Sequence, residues 1–335
     1  MALFSGQAPR PARPLEYVRG AWTLHGGALL FWLVAWMVSC QPSRATGPGG
    51  LPCSSSTRAG GACEAFVGPL PDPADDDATF GGPRALRLLA GRFLVAGRAG
   101  EAFDRSVALA ERTLAAQLRG PLGRAAPRPV RVYVFDDETR YEAYCHRYEG
   151  GRCPAAHGFY VVGERRAVAN VAHDPGVLVH ELVHALVRDD FPGVPTWFDE
   201  GLASLYETPW FDGRGGVHGG PNERDAWLRE ALDTPLGRLE AGPARLLGMG
   251  GRDFRKDHER MHYASARSFC RWLDERGQLW AFYERWREGA AGDVTGFKAL
   301  AETAGLTPEG AAELWRAWAH EGADRLAAGP RVHVN

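Results

Sequence analysis

The chain has 335 residues, with 39 Lys and Arg against 41 Asp and Glu and a formal charge of −2. It therefore lacks the basic excess of a nucleic-acid binder. Hydrophobic residues at 45% and charged residues at 24% exclude wholesale disorder.

Residues 1–39 carry Arg10, Arg13 and Arg19 against a lone Glu16, and an apolar run over 27–38 ends at Ser39-Cys40. A basic start, a short apolar stretch and a small residue at its end describe a secretion signal. The run falls short of the ~20 residues of a bilayer-spanning helix. Met37-Val38-Ser39-Cys40 resembles a bacterial lipobox, which implies export to the cell envelope and a lipid anchor on Cys40. Residues 40–82 are rich in Pro, Gly, Ser and Asp and show no apolar period, the composition of a tether. Cys53/Cys63 and Cys145/Cys153 are spaced to close short loops in an oxidising compartment, while Cys270 sits in a helical stretch as a buried thiol.

Structure begins at about residue 83. Residues 92–96 (RFLVA) read as a strand, 101–118 as a helix, 130–135 (VRVYVF) as a strong strand and 138–148 as a helix. Residues 158–162 and 167–172 read as paired strands across Gly163-Glu164-Arg165. After residue 176 the pattern is helical to the end, with breaks near 190–195, 212–222, 249–257 and 288–295. The sum is a monomeric α+β domain over 83–327, a small mixed β-sheet followed by a mainly helical lobe.

The chemistry centres on 177–188 (VLVHELVHALVR), a helix apolar almost all round and therefore buried. His180 and His184 project from one face one turn apart, so their imidazoles can grip one cation. Glu181 lies beside them as a carboxylate base that need not be a ligand. A catalytic zinc site wants a third protein ligand and an open position. Asp189, Asp190 and Glu200 are the candidates. Glu200 is favoured, because PTWFDEGLA over 195–203 starts a second helix. There Thr196 serves as N-cap and Asp199 as its capping-box partner, and Gly201 lets two helices approach closely.

HELVH followed after fifteen residues by the glutamate of PTWFDEGLA resembles the gluzincin metallopeptidases, most closely the peptidase MA-like family. The similarity runs from about residue 90 to 325. It implies a thermolysin-like zincin core with Zn²⁺ held by His180, His184 and Glu200, and with Glu181 as general base in peptide-bond hydrolysis. It also implies a tyrosine about sixty residues beyond the third ligand to stabilise the oxyanion. Tyr263 stands sixty-three beyond Glu200, with His262 adjacent as a rival. Peptide or protein is the implied substrate, added as an extra strand to a free edge at 167–172. Ser204, one turn after Glu200, is placed to support it. The Gly-rich segment 213–220 reads as a surface loop that could cover the cleft, and the remaining histidines as surface or satisfied residues. The competing reading is a non-catalytic envelope lipoprotein that keeps the zincin fold for binding or assembly.

Overall fold

A computed structural model describes residues 77–123 and 128–328 of the chain. The expected secretion signal, Cys40 and the expected Cys53/Cys63 pair lie outside the described residues. The described structure begins earlier than the expected boundary at 83. Asp77–Phe80 forms a helical turn (α1), and Phe80 is buried against Phe135.

Five strands form the main sheet: β1 (Arg84–Leu89), β2 (Phe93–Arg98), β3 (Val130–Phe135), β4 (Gly158–Val161) and β5 (Arg166–Asn170). Their order is β1-β2-β3-β5-β4. The central pairs β2/β3 and β3/β5 are parallel, whereas β1/β2 and β4/β5 are antiparallel. Parallel neighbours need crossovers. These are α2 (Glu101–Gln117), between β2 and β3, and α3 (Glu138–Tyr148), which leaves β3 toward the outer hairpin. Sequence reading missed β1, whose RALRLL sequence has no regular apolar alternation and is buried only at Leu89.

Strand period places successive side chains on opposite faces. In β3, Val130, Val132 and Val134 enter the main core with Phe103, Val107 and Leu114 of α2. Tyr133 and Phe135 point the other way, into a second cluster with Phe80, Tyr141, Tyr144 and Phe159. Both faces of the sheet are thus covered, which is why VRVYVF carries almost no polar positions.

Beyond the sheet come α4 (Gly176–Asp190) and α5 (Thr196–Leu205), then a small hairpin of β6 (Pro209–Phe211) and β7 (Val217–Gly219). Helix was expected up to a break at 212–222; instead β6 precedes that break and β7 lies within it, each only three residues long and too short to show a period of two. The lobe continues with α6 (Glu223–Leu232), α7 (Pro235–Glu240), α8 (Pro243–Leu246), α9 (Gly251–Phe254) and α10 (Glu259–Glu275). It ends with α11 (Leu279–Gly289), α12 (Phe297–Ala304) and α13 (Pro308–Ala328). No helix among the described residues is long and apolar enough to cross a membrane.

α4 is buried nearly all round, as its composition demands. α5 packs closely on α10 (Glu259–Glu275): a Cβ on Gly201 would lie 2.9 Å from the Ala266 carbonyl oxygen and from Cys270 Sγ. The close approach at Gly201 is therefore to α10, not to the helix of His180. Below α5, Trp197 stacks on Trp286 and Phe198 meets Phe282 edge-on, a rigid aromatic base for the segment that carries Glu200.

Candidate metal centre

His180 and His184 lie on α4, and Glu200 on the first turns of α5. The two Nε2 atoms are 3.1 Å apart. Glu200 Oε2 lies 3.6 Å from His180 Nε2 and 3.5 Å from His184 Nε2. These three residues form the group of the described residues that could hold a metal ion. Donors about 2.0–2.1 Å from a tetrahedral zinc sit about 3.3 Å from one another. The observed triangle brackets that value on every side, so the donor set fits zinc in size and chemistry.

Each imidazole is gripped from behind by a carboxylate. Glu207 Oε1 is 2.8 Å from His180 Nδ1, and Asp199 Oδ1 is 2.9 Å from His184 Nδ1. Arg224 holds Glu207 in turn, and Arg188 donates to Asp199 Oδ2 at 2.8 Å. Such partners fix the ring orientation and leave Nε2 as the donor toward a cation. Asp199 was expected to cap its own helix with Thr196. Instead the N-cap position is Pro195, with no side-chain cap, and Asp199 is spent on His184 and Arg188.

Charge follows this geometry. Burial favours a neutral His180 ring, but Glu200 and Glu207 outweigh it and hold its pKa well above the ordinary value. For His184, burial is likewise overcome by Asp199 and Glu200, which lift it to about 9. Burial would raise Glu200, yet the two imidazoles hold it far below the ordinary carboxylate range. Glu181 behaves in the opposite way. Burial pushes its carboxyl up to about 7 against the pull of the two imidazoles. Its Oε2 is buried and receives no hydrogen bond from the described residues. Oε1 faces the backbone of β4, where a Cβ on Gly158 would lie 2.6 Å from it. Glu181 is therefore a buried carboxylate with an uncommitted oxygen beside the donor triangle.

A cleft of about 720 Å³ opens over this centre. Residues 154–160 line one side, and Arg224, Trp227, Arg255 and Tyr263 line the other. Tyr263, on the second turn of α10, packs its ring 4.8 Å from that of Phe254. Burial and then the Glu200 carboxylate raise its pKa, which keeps the hydroxyl protonated as a donor. The rival His262 is 1% exposed and outside the cleft, its Nδ1 3.0 Å from the Phe254 carbonyl oxygen.

The other candidates fall elsewhere. Asp190 accepts from Tyr283 Oη at 2.7 Å and pairs with Arg287, and Asp189 pairs with Arg165. Neither belongs to the metal-binding group. Strand β5 has no free edge, because β3 and β4 flank it; β4 is the outer strand, and it runs along the cleft. Residues 213–220 do not line the cleft, and His218 stacks on Trp210 and contacts Asp274 instead. Ser204 does line it, with a buried hydroxyl that has no partner among the described residues.

Sequence reading missed Glu207 and Arg255. Glu207 lies just past the end of α5, two residues beyond Leu205, so helical spacing from Glu200 gave no signal for it. Arg255, whose Nη2 is 3.1 Å from Glu200 Oε1, left none, because only the tertiary fold brings it there. In comparisons with known proteins, no family model and no curated protein matches the chain.

Proposed function

We propose that this protein is a zinc-dependent peptidase. The observation that carries the reading is the triangle of His180, His184 and Glu200 with the uncommitted Glu181 carboxylate beside it. Zinc, when bound by these donors, supplies a Lewis acid that acidifies a water molecule and polarises a carbonyl. Glu181, with its pKa raised to about 7, is poised to take the proton from the attacking water and return it to the leaving amine. Tyr263 donates its hydroxyl hydrogen to the developing oxyanion. Glu207 and Asp199, each accepting from an Nδ1–H, hold the imidazoles oriented with Nε2 facing the site. An extended peptide would lie along β4, adding to the sheet as a further strand.

The likeness to gluzincin metallopeptidases rests on the HELVH and PTWFDEGLA segments. The same reading places the enzyme in the bacterial envelope, as a monomer anchored by a lipid on Cys40. The test is cleavage of a quenched-peptide library by the purified protein. Activity should vanish with a chelator, return with zinc, and be abolished by Glu181→Gln although that variant still binds one zinc. Equal cleavage by wild type and Glu181→Gln would exclude the peptidase reading.

A further inference from the structure

We propose that the Cys145–Cys153 crosslink, together with the Tyr141 hydroxyl, positions residues 154–158 as the substrate-binding lip of the cleft above Glu181. The proposal deepens the peptidase reading and rests on it. Cys145 and Cys153 are joined by a disulfide across a sequence separation of 8. Cys145 belongs to the last turns of α3, behind the sheet, and is fully buried there. Immediately after Cys153, residues 154–157 are solvent-exposed and line the cleft. The next residue, Gly158, begins β4 and presses its backbone against Glu181 Oε1. One short segment thus joins the crosslink to the base.

α3 does not depend on the crosslink for its own place. Tyr141 and Tyr144 pack with Phe135 and Phe159, Asp137 caps the helix by accepting from Arg140 N–H, and Arg166 pairs with Glu149 just beyond its end. The lip has fewer holds. No side chain of 154–157 enters either core cluster. The Tyr141 hydroxyl donates to the Ala155 carbonyl, Asn170 N–H donates to the His157 carbonyl at 2.7 Å, and the crosslink fixes the start of the segment. Two of these three ties come from α3, so α3 acts as the bracket on which the lip is mounted. Without them the segment keeps only its junction with β5, and the backbone that meets the substrate and packs on Glu181 gains freedom.

The experiment combines hydrogen–deuterium exchange with peptidase kinetics on the full-length zinc-loaded protein, using the library peptide cleaved fastest. Untreated wild type is compared with phosphine-reduced wild type, Cys153→Ser, and Tyr141→Phe, which removes one lip tie and leaves the disulfide intact. We expect faster exchange confined to about residues 149–158 in all three altered forms. KM should rise about tenfold with kcat changed less than about threefold, and zinc content should be unaltered. Reoxidation should restore the reduced sample. A crosslink that only staples the fold would lower the melting temperature and leave KM unmoved, which overturns the proposal while cleavage itself stands. Unchanged exchange at 149–158 overturns it as well. Absence of cleavage by untreated wild type removes the peptidase reading, and this proposal with it.

Discussion

The floor and the lip of the cleft are built on different principles. On the floor, His184, Glu181 and Glu200 are all at most 6% exposed, and each imidazole is backed by its own carboxylate. Those groups stand on two helices sunk in the main core, so their positions are fixed by packing as much as by polar contacts. The lip at 154–157 is exposed and held by a crosslink and two hydrogen bonds to backbone carbonyls. Burial without partners would be prohibitive for the floor's charges, whereas the exposed lip keeps its backbone accessible to an extended chain. The contrast separates holding a cation from handling a substrate, and each can be perturbed alone.

The largest effect belongs to the floor. Glu181→Gln keeps the side-chain volume and removes the base, so turnover should fall about 10³-fold with zinc retained, as read by steady-state kinetics and metal analysis. Gly158→Ala should come close behind, because its added Cβ would lie 2.6 Å from Glu181 Oε1 and must displace either the carboxylate or the strand. Kinetics on that variant should show a kcat loss of about 10²-fold with one zinc still bound. Tyr263→Phe should also lower kcat about 10²-fold with little change in KM; unaltered turnover would remove Tyr263 from the chemistry.

A smaller change is expected behind the ligands. Asp199→Asn removes the charge facing His184 Nδ1 and weakens the clamp on Arg188. Zinc affinity, measured by competition with a chromophoric chelator, should drop about 10–100-fold. The pH dependence of uptake sharpens the same point. His184 is lifted to about 9 and His180 also well above its ordinary value, so both carry protons at pH 7 in the metal-free protein. Zinc needs neutral imidazoles and must expel those protons. Apparent affinity should therefore rise with pH, by up to about 100-fold per unit where both rings are protonated, and the His184 contribution should level off above about pH 9. Calorimetry in buffers of different ionisation enthalpy should count close to two protons released; none released would contradict the charge assignment.

The floor was legible in the sequence because its signals are local. HELVH fixes two donors by helical spacing, and the apolar residues around them announce a buried helix. Glu200 followed from the motif around it, and the sheet could be read from VRVYVF and the paired strands at 158–162 and 167–172. Failures occurred where tertiary contacts override local preference. Asp199 has the position of a capping residue, but a buried imidazole within 2.9 Å is a stronger claim on its carboxylate. The strand that precedes α4 in sequence is not the strand at the sheet's edge, since the chain order 4-5 is reversed in space as β5-β4. The crosslink between Cys145 and Cys153 was visible as a spacing, whereas its place beside the cleft depends on how α3 packs.

The decisive measurement is zinc K-edge absorption spectroscopy on the zinc-loaded wild type and on Glu200→Ala, with equilibrium dialysis to count the metal. One zinc per chain should bind, with two imidazole shells and a carboxylate oxygen all near 2.0–2.1 Å, and the oxygen shell should change and affinity fall at least about 100-fold in Glu200→Ala. Stoichiometric zinc with an identical spectrum and affinity in both proteins would contradict the assignment of Glu200, and absence of zinc from the wild type would contradict the metal centre itself.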